Sequence, residues 1–153
     1  MTENKVNILI VDDDANIRET ISLILQQEGY STDTAENGKE AIEKTKTRYF
    51  NLALLDIKLP DMEGTKLLTI MHSAQPKMMK IMVTGYPSLE NAVEALNLGA
   101  DSYVMKPIDP EKLLALIKDK LEEQSRAEKM TEKEVTKWIE TRVRKIEFED
   151  SKR

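Results

Sequence analysis

Asp12, Asp13, Asp56, Thr84 and Lys106 are the residues of this 153-residue chain with the clearest capacity for chemistry, since each closes or directly follows a short apolar run. Carboxylates gathered in one pocket repel one another, so near neutral pH they either take up protons or bind a cation. A hard divalent ion is the natural solution. Mg²⁺ prefers oxygen ligands and typically uses one or two carboxylates plus a phosphate, which suits Asp13 and Asp56, with Asp12 able to act through a bound water. A carboxylate is also a competent nucleophile toward phosphorus. The metal and Lys106 would then neutralise charge on a transferring phosphoryl group, and Thr84 would donate a hydrogen bond to one of its oxygens. Taken alone, an aspartate at a strand end such as Asp56 is more often a turn or cap residue. Its weight depends on whether the other four converge on it.

Convergence requires particular elements. Val6 to Val11 is a near-continuous aliphatic run that predicts a buried strand, and Leu52 to Leu55 predicts another that ends on Asp56. Pro60, Asp61 and Gly64 mark the loop that follows. Further strands are predicted at Ser31 to Ala35, at Lys80 to Val83 ending on Thr84-Gly85, and at Ser102 to Met105 ending on Lys106-Pro107. Between them lie helical periodicities. Ile17, Ile21, Ile24 and Leu25 recur before a stop at Gly29; Asn37 caps a helix to about Tyr49 with Ala41, Ile42 and Thr45 inward; Thr65 to Ser73 carries Leu67, Leu68, Ile70 and Met71. Pro87 and Ser88 open a fourth helix that carries Leu89, Ala92, Val93 and Leu96 and stops at Gly99, and Asp109-Pro110 opens a fifth. Strict alternation of strand and helix predicts an α/β fold with a parallel sheet covered on both faces. Parallel strands put all five candidate residues on one edge, where open sheets bind ligands.

Composition sets the outer bounds. The net charge of −5 and the lack of a long basic run argue against a direct nucleic-acid partner. The absence of cysteine removes disulfides and thiolate metal sites and is compatible with a reducing cytoplasm. The N-terminal apolar segment is too short for a signal peptide, and no run approaches a membrane span, so a cytoplasmic protein with no membrane partner is expected. The Asp12-x-Asp14-x-Asn16 spacing is similar to a calcium loop, but Ile17 and Leu23 stand where that loop needs Gly and Glu. His72 is expected to be a solvated helix residue, and Met71, Met82 and Met105 core filler.

The segments IVDDD, LLDIKLPDMEG, VTGYPS and YVMKP, in that order at successive strand ends, resemble the receiver domain of two-component response regulators over roughly residues 4 to 121. The chain looks like the chemotaxis-regulator kind of receiver. The resemblance implies a flavodoxin-like five-stranded sheet of order 2-1-3-4-5 with helices on both faces. It implies that a sensor histidine kinase or phosphotransfer protein passes its phosphoryl group to Asp56, with Mg²⁺ held by Asp12, Asp13, Asp56 and the backbone carbonyl of Lys58. Thr84 and Lys106 would bind the phosphoryl oxygens, and Lys106-Pro107 matches a position that is often cis in the family. Such a protein is a signalling phosphoacceptor that promotes only its own phosphorylation and dephosphorylation. Thr84 moving toward the phosphoryl group would make room for Tyr103 to turn inward, reshaping the face made by the fourth helix, fifth strand and fifth helix. Lys58 and Tyr86, two places after Asp56 and Thr84, are expected to shield the acyl phosphate and set its lifetime.

The receiver assignment accounts for residues 1–121 and leaves 122–153 as a charged tail of nine acidic and nine basic residues without Pro or Gly. Its composition is helical. Thr131-x-x-Glu134 reads as a capping box, predicting a break near Met130 and a restart. Beyond it Val135, Trp138, Ile139, Val143 and Ile146 form an apolar stripe suited to folding back, to a second copy or partner helix, or to the start of an output module. The remaining length is too short for a complete DNA-binding domain. An enzymatic alternative is a phosphatase of the haloacid dehalogenase type, with Asp12 as nucleophile and Asp14 as general acid, but the chain offers no later paired-acid loop.

Overall fold

The computed structural model describes residues 5–85 and 89–151, apart from the side chains of 89–91 and 147–151. The chain falls into two units, Met1–Leu121 and Glu122–Arg153. In the first, β1 (Asn7–Val11), α1 (Ala15–Gln27), β2 (Ser31–Ala35), α2 (Gly38–Thr47), β3 (Leu52–Asp56), α3 (Gly64–Ala74), β4 (Met79–Thr84), α4 (Leu89–Asn97) and β5 (Ser102–Met105) alternate; α5 (Pro110–Ser151) begins in the first unit and continues into the second. The strands form one sheet of order β2-β1-β3-β4-β5, every pairing parallel. This is the flavodoxin-like arrangement that the resemblance implies.

Two-residue alternation divides the core between the two sheet faces. Leu9, Val11, Ala53 and Leu55 point to one side, where Ala41 of α2, Leu67, Leu68 and Met71 of α3 and Ala95 of α4 cover them. Ile8, Ile10, Leu52 and Leu54 point to the other, under Ile21 and Leu25 of α1 and Leu113 and Ile117 of α5. Such double cover is why β1 and β3 read as unbroken apolar runs. Helix boundaries follow local chemistry. Asp14 Oδ1 accepts from the N–H groups of Asn16 at 2.9 Å and Ile17 at 3.3 Å, capping α1. Asn37 Oδ1 does the same for Glu40 at 2.8 Å on α2. Gly29 and Gly99, with φ of 90° and 111°, turn the chain out of α1 and α4.

Several expectations need correction. On α4 Ala95 is buried, whereas Val93 and Leu96, two of the apolar residues that mark this helix in the sequence, are about half exposed (49% and 51%). β5 is an edge strand, so Met105 at its end is exposed rather than core. His72 is half-buried, its Nδ1 sealed from solvent and its ring against Gly99, because α3 packs on the turn after α4. Lys80, expected only as the first residue of a strand, is wholly buried, its ammonium donating to the carbonyls of Gln75, at 3.1 Å, and Met78, so the loop before β4 closes around a charge. Burial depresses its pKa, with Asp101 opposing. Helix α5 continues through Met130 without a break. Thr131 Oγ1 donates back to the carbonyl of Ala127 at 3.0 Å, an intrahelical use of the hydroxyl, not a cap.

Leu54 lies on the central strand with 1% exposure, while Leu23 on α1 is 60% exposed. Leu54→Ala is expected to cost about 2–5 kcal/mol and Leu23→Ala well under half of that, measured by urea unfolding.

Candidate functional site

The parallel register aligns the strand ends that carry the candidate residues. Val11 pairs with Leu55, Asp56 with Val83 and Thr84 with Met105, so residues 12–13, 56, 84 and 106 reach the same edge of the sheet. The backbone N–H of Lys106 donates to the carbonyl of Thr84 at 2.7 Å, extending the β4–β5 ladder to the lysine. The Lys106-Pro107 peptide is cis.

The side chains converge. Lys106 Nζ lies 2.9 Å from Asp12 Oδ2 and 3.4 Å from Asp56 Oδ2, and thus bridges carboxylates from the first and third strand ends. One oxygen from each of Asp12, Asp13 and Asp56 falls within 4.8 Å of the others. Asp12 and Asp56 are buried and Asp13 is exposed, which leaves the cluster open on one side. Thr84 is fully buried at the end of β4. Asp12 is further fixed by the N–H of Asp14, which donates to its Oδ1 at 2.9 Å, and Arg18 Nη1 donates to its carbonyl at 2.7 Å.

Three carboxylates against one ammonium leave an excess of negative charge. Burial, and then the charge of Asp12, push the Asp56 carboxyl above its ordinary range, with Lys106 and the Lys58 N–H opposing. Burial also works against the Lys106 ammonium, but its hydrogen bond to Asp12 and the charges of both carboxylates outweigh this and raise its pKa. A hard cation fits this surplus. The cluster's oxygens, one from each carboxylate within 4.8 Å of the others, are the hard donors that Mg²⁺ prefers.

Lys58 lies beside the cluster, its N–H 3.4 Å from Asp56 Oδ1. Tyr103 packs half-buried against the core on the α2–α3–α4 side, its hydroxyl sealed from solvent and without a hydrogen-bond partner. Tyr86 lies outside the described residues. Asp14, the general acid of the phosphatase alternative, is occupied in capping α1. Two supporting roles escape sequence reading. Arg18 reaches Asp12 from the first turn of α1, and Asp61, legible only as a turn residue, accepts the N–H groups of Gly38 and Lys39 at 2.9 Å each.

Known proteins resemble this chain in sequence and fold. The family model of the response regulator receiver domain matches residues 8–118. Regulatory protein AtoC of Escherichia coli K12 is 38% identical over 118 residues, covering 77% of this chain and 26% of that protein. A response regulator receiver domain protein (CheY-like) from Methanospirillum hungatei JF-1 is 53% identical, with a TM-score of 0.79 over 81% of this chain and 99% of its own. The beryllofluoride-activated NtrC4 receiver domain dimer is 36% identical, with a TM-score of 0.74 over 77% of this chain and 98% of its own. The chain belongs to the receiver-domain family of response regulators. It spans about a quarter of the length of the curated relatives it matches. None of these comparisons supports the phosphatase alternative.

The raised carboxyl pKa of Asp56 has a consequence for stability. The folded protein holds that proton more tightly than the unfolded chain, so the group's contribution is fully present below the ordinary carboxylate pKa and is lost as pH rises through the raised value. Asp56→Asn, which leaves Lys106 its contact with Asp12, is expected to raise the melting temperature at neutral pH without divalent cation. The gain should vanish below about pH 4, as followed by thermal scans across pH.

Proposed function

We propose that residues 1–121 form a phosphoacceptor domain in which Asp56 receives a phosphoryl group from the phosphohistidine of a sensor kinase or phosphotransfer protein. The observation that carries this reading is the Lys106 ammonium bridging Asp12 and Asp56 within the acidic cluster. An Asp56 carboxylate oxygen attacks phosphorus as the bond to the donor imidazole nitrogen breaks, and that nitrogen keeps the electron pair. Mg²⁺, held by Asp12, Asp13, Asp56 and the Lys58 carbonyl, would supply charge neutralisation for the phosphoryl oxygens. Lys106 adds a second cation, and Thr84 donates a hydrogen bond. An apolar groove of about 320 Å³, lined by Ile17, Ile24, Pro107 and Ile108 and reaching Lys106, offers the donor a surface beside the acceptor.

The output is a two-state switch. A hydrogen bond to a charged acceptor contributes roughly 1.5–3 kcal/mol, comparable to the gap between states of a switching protein. Thr84 turning toward the phosphoryl group, with Tyr103 repacking behind it, alters the α4-β5-α5 face. The exposed Val93, Leu96 and Met105 on α4 and β5 support that face as a docking surface. Lys58 and Tyr86 shield the phosphorylated state. The domain acts in the cytoplasm as a signalling component and turns over no other substrate, with neither nucleic acid nor membrane among its direct partners.

Intact-mass analysis after incubation with Mg²⁺ and acetyl phosphate tests the reaction. One phosphoryl group is expected on the wild-type chain and none on Asp56→Asn. Multiple turnover of an added phosphomonoester would instead favour a phosphatase.

Residues 122–153 serve as a helical interaction element that pairs with a second copy or a partner helix. Val135, Trp138, Ile139, Val143 and Ile146 are all about half exposed on one helix, and the Arg142 guanidinium covers Trp138 at 5.0 Å from the ring centroid. If the stripe joins two copies, light scattering reads a concentration-dependent dimer mass that Trp138→Glu returns to the monomer. A monomer at all concentrations, phosphorylated or not, argues for a foreign helix.

A further inference from the structure

The segment after Asp56 is a narrow hairpin. Gly64 N–H donates to the Ile57 carbonyl at 2.7 Å, Lys58 bridges Glu63, and Leu59 N–H donates to the Met62 carbonyl at 3.3 Å, leaving Pro60 and Asp61 at the tip. Lys58 lies on the arm next to the phosphoacceptor. So short a two-stranded ladder is marginal by itself. Its tip is anchored at a distance: Asp61 Oδ1 accepts the N–H of Gly38 and Oδ2 that of Lys39, both at 2.9 Å and 23 and 22 residues away. Asn37 takes the next N–H, from Glu40, so the first turn of α2 is satisfied jointly by its own cap and by the hairpin. Met62 lies over the same spot. A Cβ at Gly38 would come 2.5 Å from the Met62 sulfur, and one at Gly64 2.1 Å from the Asp56 carbonyl oxygen, so both ends of the hairpin approach where glycine leaves room.

We propose that Asp61 is a positioning residue for the metal site, clamping the hairpin that carries Lys58 to the N-terminus of α2. The inference rests on the phosphoacceptor reading, in which the Lys58 carbonyl is a metal ligand. Asp61 itself is fully exposed and too far along the loop to belong to the Asp12, Asp13 and Asp56 cluster. The N–H of Gly38, and then that of Lys39, hold its carboxyl below the ordinary range, so the clamp stays charged through the physiological pH range. Releasing it lets the hairpin arm move, and with it the backbone oxygen beside Asp56. Loss of an outer partner that orients a metal ligand commonly weakens binding by one to two orders of magnitude.

The test uses the full chain and Mg²⁺ alone, titrated by calorimetry, with amide hydrogen exchange as a second readout. Asp61→Ala should weaken Mg²⁺ binding on the order of tenfold and speed exchange at Gly38 and Lys39. Asp61→Asn, which keeps one acceptor, should fall between it and wild type. Glu63→Gln removes a carboxylate from the same loop that makes no side-chain cap contact, and should bind Mg²⁺ as wild type does. Phosphorylation of Asp61→Ala by acetyl phosphate should recover the wild-type rate at saturating Mg²⁺. If Asp61→Ala lowers only the melting temperature and leaves Mg²⁺ affinity unchanged, Asp61 is a cap and nothing more. Equal weakening by Asp61→Ala and Glu63→Gln would attribute the effect to charge and overturn the clamp. Wild-type protein that takes up no Mg²⁺ would sink the phosphoacceptor reading, and this inference with it.

Discussion

Everything at the functional edge depends on one electrostatic imbalance: three carboxylates drawn together by parallel strand ends, with a single half-buried ammonium between two of them. Parallel pairing imposes the crowding, because β1 and β3 are neighbours and both end in acid. Lys106 relieves part of it at 2.9 and 3.4 Å, but Asp56 is still pushed toward protonation. A fold that tolerates such a pocket spends stability on readiness to accept positive charge, which is the usual trade at a functional site.

That imbalance is held in place by contacts with little sequence signature. Arg18 ties the first turn of α1 to the Asp12 backbone, and the Asp14 cap orients the same turn. On the other side of Asp56, the hairpin 57–64 closes so tightly that a glycine must stand at its end, and its tip reaches α2. The site is therefore bounded by loops braced on neighbouring helices, whereas its charged groups stand on rigid strand ends. Such a division suits a switch: the groups that meet the ligand stay put, and the surrounding segments can respond.

The long α5 joins a different kind of physics to the same chain. Within the first unit its residues Leu113 and Ile117 complete the core against β1, β3 and β4. In the second unit the apolar side chains from Met130 to Ile146 stay about half exposed, interleaved with charges that form sparse ion pairs such as Arg144–Glu140 at 3.9 Å. Surface pairs of that kind contribute little, so burial of the stripe is the larger available source of stabilisation.

Strand and helix order, the parallel sheet and the five residues at its edge were all legible from the chain alone, because apolar runs, the cap at Asn37, and acids after apolar runs are local signals. Local signals do not carry rotation about a helix axis. α4 turns Ala95 inward and Val93 and Leu96 outward, and nothing in the spacing of Leu89, Ala92, Val93 and Leu96 selects that face. Nor could a capping-box pattern at Thr131 reveal that its hydroxyl would bond back to Ala127 within a continuing helix. Asp61 meets the N–H groups of Gly38 and Lys39, and His72 packs on Gly99, at separations that no pattern of residue types encodes. The sequence determined which groups reach the functional edge; the tertiary structure decided which of them touch, which are buried, and what braces them, because those depend on packing between segments distant in the chain.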